Sequence, residues 1–251
     1  MKNFSAFFAI ILLALTAFGC RSCETIDSSK LDPSEIYQEY SVTVAENTSV
    51  SAEFRVSGST GTTVALVAPS AVQYNGQAMS EHLRTTFSGT YYSSETKGFA
   101  GSHTFVFTDS SGKKFTNTIN FEPISINGND LVLSKSSGSI LIPLSRGLAD
   151  GESVTASLDS EAEPPPKQTA NANSNSSSAD EPQYSNDLRG SVDNAAKTLS
   201  VDGEQIRKFV TGKAKLHLFL TNSRKPAQIG IRGGNMNFSI QSPTVRVNVS
   251  N

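Results

Sequence analysis

Three histidines, two cysteines and a scatter of carboxylates are the side chains with the types to catalyse a reaction or to hold a metal. His82, His103 and His217 lie far apart, none at metal-ligand spacing from another, and each sits in a strand-like alternation. Cys20 and Cys23 form a C-x-x-C pair. That motif supports thiol exchange when it opens a helix of a βαβ unit, and no such pattern follows it. Asp130, Asp150, Glu152, Asp193, Asp202 and Glu204 stand at expected turns, where carboxylates cap and redirect the chain. Glycoside hydrolysis would need two of them facing each other across a cleft. Turn oxygens also suit calcium, but no ligand set stands out. Gly58-Ser59-Thr60-Gly61 lacks the strand-turn-helix context of a nucleophile elbow. The expectation is therefore no catalytic set, no metal and no cofactor, with a hydrolase of dispersed residues in the second half as the alternative.

Binding chemistry is more legible. Residues 197–251 carry nine basic side chains against Asp202 and Glu204, whereas residues 125–196 carry 4 basic and 10 acidic ones. Mutual compensation within one fold explains this asymmetry. A sharper reading is a basic strand face, built on Lys213, Lys215 and Arg232, for an acidic envelope glycan or membrane surface. For a neutral sugar, Tyr91 and Tyr92 are the best stacking platform in a chain without Trp. Neighbours on a strand point to opposite faces, so only one of them can serve. The overall balance of 21 basic and 23 acidic residues gives no case for nucleic acid.

The elements that must position these residues are strands. Tyr40, Val42 and Val44, then Ala52, Phe54 and Val56, recur with a period of two. Asn75-Gly76 marks a tight turn, and Phe105 and Phe107 lead through Asp109-Ser110-Ser111-Gly112 into Phe115, Ile119 and Phe121. Residues 37–123 thus read as a two-sheet sandwich. Residues 124–251 read as a second sandwich or jelly roll, through Leu131–Leu133, Ile140–Leu144, Val154–Leu158, Leu216–Leu220, Ile229–Ile231, a Gly233-Gly234-Asn235 turn and Val245–Val249. One short helix is expected after Asp202, with Gln205 completing a capping box. Residues 159–187 contain no Ile, Leu, Val, Met or Phe and read as a disordered loop inserted in the second domain. The fold class is all-β, with two sandwich domains.

The N-terminus places the chain. Residues 1–19 hold one charge, Lys2, and a 12-residue apolar run from Phe7 to Phe18, too short to span a bilayer as a helix of about 20 residues. This is the pattern of a secretory signal peptide. Ala17-Phe18-Gly19-Cys20 resembles the lipobox of bacterial lipoproteins, with Ala17 and Phe18 in place of the commonest residues. The resemblance implies cleavage before Cys20 and a diacylglyceryl thioether on it, and residues 20–36, polar and without periodicity after that cysteine, read as a flexible tether. Arg21, where an Asp would imply inner-membrane retention, implies the outer membrane. Ala17-x-Gly19 also suits an ordinary signal peptidase, which would free Cys20 and Cys23 to form a disulfide. The stretch from Gly101 to Thr116 resembles the final hairpin of bacterial immunoglobulin-like modules, with His103 where those modules carry a corner tyrosine. That resemblance implies a fold, not an activity.

The intact mass of the protein from native membranes decides between the two processing routes. It is expected to begin at Cys20 and carry acyl chains that Cys20→Ser abolishes. A bare chain two hydrogens light would instead mean a soluble, disulfide-closed product.

Overall fold

Alternating side chains give every long strand one apolar and one polar face, and the apolar faces meet. The computed structural model describes residues 25–83, 89–98, 101–128, 130–164 and 182–251. In the first half the strands are β1 (Thr25–Asp27), β2 (Ile36–Val44), β3 (Asn47–Val56), β4 (Thr63–Ala65), β5 (Ala71–Tyr74), β6 (Gln77–Ala78), β7 (Ser80–Leu83), β8 (Thr90–Lys97), β9 (Ser102–Thr108) and β10 (Lys114–Asn120). The second half adds β11 (Leu131–Ser134), β12 (Ser139–Pro143), β13 (Glu152–Ser160), β14 (Ser185–Leu188), β15 (Gly190–Asp193), β16 (Thr198–Asp202), β17 (Gly212–Arg224), β18 (Gly234–Gln241) and β19 (Val245–Ser250).

A sheet of 12 strands backs the molecule in the order β1-β4-β3-β2-β18-β17-β13-β14, with β8 and β7 beside β3, and β19 and β11 beside β17. Two smaller sheets complete the fold, β10-β9-β5-β6 and β12-β16-β15. The first lies on the inner face of the backing sheet. Tyr40 meets Phe105 with ring centroids 4.7 Å apart, and Phe54 meets Phe107 at 4.6 Å. Ile140, Ile142, Leu199 and Val201 of the other small sheet share one buried core with Ala156, Leu158, Leu216 and Leu218 of the backing sheet. The architecture is all-β and sandwich-like.

Parallel pairing of β2 with β18, from Gln38 opposite Gly234 to Val44 opposite Ile240, carries the backing sheet across the boundary expected between residues 123 and 124. The two units of the sequence reading therefore share a sheet. Side chains reinforce the seam. Phe121 stacks on Phe238 at 4.8 Å. Asn117, fully buried, accepts from Gln228 N at 2.7 Å and donates to Gln228 O at 2.8 Å. Gln228 Oε1 accepts from Thr116 N at 2.8 Å, which covers part of the outer edge of β10. Arg146 donates to Glu122 O at 2.6 Å and Gly147 O at 2.7 Å, and grips Glu152 through both guanidinium nitrogens at 2.7 and 3.0 Å.

Several expectations need correction. Residues 25–36, assigned to a flexible tether, are folded: β1 pairs in parallel with β4, and Ser28 exchanges hydrogen bonds with the Val67 backbone. The helix after Asp202 is a single 3-10 turn, Gly203–Ile206. Asp202 does cap it, accepting from Glu204 N at 2.9 Å. Gln205, however, turns away to bond both N and O of Arg189, so no capping box forms. A Cβ on Gly203 would sit 1.8 Å from Ser137 O, so the turn rests directly on another backbone segment. Of the loop expected over 159–187, Asp159 and Ser160 finish β13, while Ser185–Asp187 begin β14. Residues 165–181 lie outside the described residues. Ile229 and Ile231, expected in a strand, belong to the connection after β17. Pro226 lacks the N–H a ladder needs, and Asn117 takes the backbone of Gln228.

The Arg146–Glu152 grip makes stability sensitive to acid. Burial alone pushes the Glu152 carboxyl up. The hydrogen bonds from Arg146 and Ala149 N, with the charges of Arg146 and Arg224, outweigh it and hold the group below its ordinary 4.5. Its contribution is complete above about pH 4.5 and is lost as pH falls through the lower folded value. Glu152→Gln should cost about 3 kcal/mol in urea denaturation at neutral pH, because it leaves a largely buried Arg146 without its counter-charge. The variant should also unfold with a shallower acid limb. A loss below about 0.5 kcal/mol would mean the grip contributes no more than an ordinary surface contact.

Candidate binding groove

Four chain segments meet where β2 and β18 end. Between β2 and β3 the chain turns through Ala45 and Glu46, closed by a hydrogen bond from Ala45 N to Asn47 O at 3.0 Å. After β18 it turns through Ser242 and Pro243. Ser242 Oγ accepts from Leu218 N at 2.9 Å and donates to Pro243 O at 3.0 Å, which fixes that loop against β17. Pro123 and Ile124, leaving the first half, form a third wall, and Glu95 of β8 the fourth. Together they enclose a groove of about 890 Å³ along the seam.

Val44, Ile124 and Ile240, which adjoin the groove, are buried and belong to the core behind it. Thr43, Glu46, Asn47, Ser49, Glu95 and Thr244 line it with exposed hydroxyl, amide and carboxylate groups. Asn47 Nδ2 donates to Glu95 Oε1 at 3.3 Å, and Ser49 lies opposite Glu95 across the β3–β8 ladder. A cleft lined by short polar side chains suits a ligand rich in hydroxyl groups. No cluster of three His, Cys, Asp or Glu occurs among the described residues.

The side chains singled out in the sequence lie elsewhere. Lys213 and Lys215 are exposed on the outer face of β17, and Lys215 is flanked by Arg246 of β19 and Asp159 of β13. Arg246 pairs with Glu161 at 3.2 Å, so acids interleave with this basic strip. Arg232 is not part of it. It pairs with Glu35 at 2.5 Å, beyond the far end of β17, about 30 Å from Lys215 by strand length.

Tyr91 points outward and stacks on His82 with centroids 5.0 Å apart. Its neighbour Tyr92 points into the core. Burial pushes the Tyr92 hydroxyl up to about 12 even though it accepts from Leu66 N. His103 is fully buried, bonded to Tyr74 Oη through Nδ1 at 2.6 Å and stacked on Phe121 at 4.8 Å. The polar contact of the hairpin corner thus runs between a histidine and a tyrosine on the neighbouring strand. His217 lies 3.9 Å from Asp159 and packs edge-on to Phe219. The three histidines are on β7, β9 and β17 and are not brought together.

Asp193 Oδ1 accepts from the N–H groups of Ala195 and Ala196, and Glu204 pairs with Arg207. Asp130 and Asp150 are exposed at turns. None of these carboxylates lines the groove, whereas Glu46 and Glu95, which do, had not stood out in the sequence. The only local signal was the Ala-Glu-Asn turn between two alternating strands.

No family model matches the chain, and no curated protein does. Among solved structures it is similar to SGBP-B of the Bacteroides ovatus mixed-linkage glucan utilization locus, solved with a mixed-linkage heptasaccharide. That likeness has 11% identity and a TM-score of 0.19, and covers 82% of this chain and 53% of that one. It is also similar to the Yersinia pseudotuberculosis adhesin InvE, at 12% identity and a TM-score of 0.21 over 84% of this chain and 60% of that one. The chain thus spans little more than half the length of either protein. Scores this low do not extend to a shared topology and do not bear on a ligand.

The split of the basic residues has a measurable consequence. Retention on a sulfated polysaccharide at low salt should fall for the double change Lys213→Ala and Lys215→Ala, and hold for Arg232→Ala. Equal losses from both would mean that the two ends act as one surface.

Proposed function

We propose that the protein is an exported, lipid-anchored module of the cell envelope that binds rather than catalyses, and that its ligand is a neutral glycan held in the seam groove. The observation that carries this reading is the groove itself, a cleft of about 890 Å³ lined by the hydroxyl and amide groups of Thr43, Asn47 and Ser49, with Gln241 beside them at the end of β18. A sugar offers hydroxyls that match this lining. The lipobox-like sequence before Cys20 supports attachment to a membrane, and Arg21 supports the outer one. Most residues with catalytic potential already have structural work. Glu152 holds Arg146, Asp202 caps a turn and His103 fills the core. Lys213 and Lys215 offer a separate contact for an acidic glycan or another envelope component.

A second reading rests on one observation, that Glu46 and Glu95 both line the groove. Two carboxylates across a bound sugar are the minimum for hydrolysis. Calorimetric titration with neutral envelope and plant oligosaccharides separates the two. Binding without turnover is expected, with Asn47→Ala and Gln241→Ala each weakening it about tenfold, the loss of roughly one hydrogen bond. Binding indifferent to both changes would sink the groove as the site. Release of reducing ends that Glu46→Gln or Glu95→Gln abolishes would favour the hydrolase.

A further inference from the structure

The parallel seam gives the backing sheet two distinct ends. β2 and β18 start together at Ile36 and Gly234 and finish together at Val44 and Gln241, beside the groove. β3 and β8 run between the same two ends, which brings Val56 and Thr90 to the starting end. β1 is held at that end too. Thr25 lies opposite Thr63 with hydroxyls 3.1 Å apart, and Thr63 lies opposite Arg55. Thr63 also abuts Gly89, where a Cβ would sit 2.8 Å from its methyl group. The chain therefore enters the described fold at the end opposite the groove.

The two most exposed large apolar side chains among the described residues gather at this same end. Leu83, 73% exposed, lies opposite Thr90 at the end of β7. Ile231, 85% exposed, lies in the connection that leads into β18. Gly230 beside it rests on the carbonyls of Pro33, Ser34 and Ile36, and Gly233 O accepts from Gln38 N at 3.3 Å. Both side chains stand out of the core, and each would cost less out of water. Exposed Arg224 and Lys225 end β17 at the same side, whereas Arg232 there is neutralised by Glu35.

Cys20 precedes Thr25 by five residues, so its backbone lies within about 18 Å of the β1 end however the intervening chain runs. We infer that this end of the backing sheet rests on the bilayer that holds the anchor, with Leu83 and Ile231 in the headgroup region and the groove facing away. β2 alone separates the two ends by about 27 Å. This orientation rests on the proposed lipidation of Cys20 and deepens it. The membrane is a docked surface, and not only the place where the acyl chains sit.

The test uses the full acylated protein in a Cys23→Ser background, reconstituted in vesicles of phosphatidylethanolamine and phosphatidylglycerol that carry a nitroxide-headgroup lipid. A fluorophore is placed in turn on Leu83→Cys, Ile231→Cys and Glu46→Cys, all at exposed positions. Emission should be lost at the first two sites and retained at the third. Acylated protein with equal quenching at all three, or with the strongest at the Glu46→Cys site, would overturn the orientation while leaving the anchor intact. A bare mass at Cys20 would remove the anchor itself, and the orientation with it.

Discussion

The fold depends on one non-local contact, the parallel ladder between β2 and β18. Without it the backing sheet separates into two pieces, and each half exposes a strand edge. Parallel strands need a crossover, and here the crossover is nearly the entire chain between residues 44 and 234. The side chains along the ladder show how it is kept in register. Tyr40 and Met236 are both buried at directly opposed positions, as are Val42 and Phe238. A slip of one residue would turn the whole buried set of one of the two strands outward. Tyr40 also donates to buried Gln38 at 2.8 Å, so the polar groups inside the seam are matched within the same strand.

The strands were largely legible in the sequence because one face of each is buried and the other is not. Tyr40-Ser41-Val42-Thr43-Val44 could be read without knowing its partner, and the Phe105-to-Phe121 hairpin without knowing its sheet. The partner of β2 could not be read, since nothing local in Ile36–Val44 marks residues 234–240. β1 was missed for a related reason. Three residues of mixed polarity at a sheet edge carry no period, and only their pairing with Thr63–Ala65 makes them a strand. The helix after Asp202 was misread because the competing interactions are distant, Gly203 against Ser137 and Gln205 against Arg189.

The candidate site was less legible than the fold. Several residues with conspicuous chemistry pack, cap or pair: His103 fills the core, Asp193 and Asp202 cap turns, and Glu152 grips Arg146. The groove is made from plain residues contributed by segments around 45, 95, 123 and 242, and no spacing rule joins them. Lys213 and Lys215 lie on one face of β17. Arg232 joined them only through its charge, and the strand geometry separates it from them.

The groove closes the seam at the ends of β2 and β18, and its walls come from both extremities of the folded chain. The first half supplies its lining from Thr43 to Pro123 and the second from Ile124 and Ile240 to Thr244, so neither half alone contains the whole of it. Occupancy would therefore act as a cross-brace, favouring the state in which both halves are joined over any state in which one has come away. Recognition at this groove and cohesion would in that sense be the same equilibrium: parting the halves would break up the groove, and a ligand held in it would resist their being pulled apart.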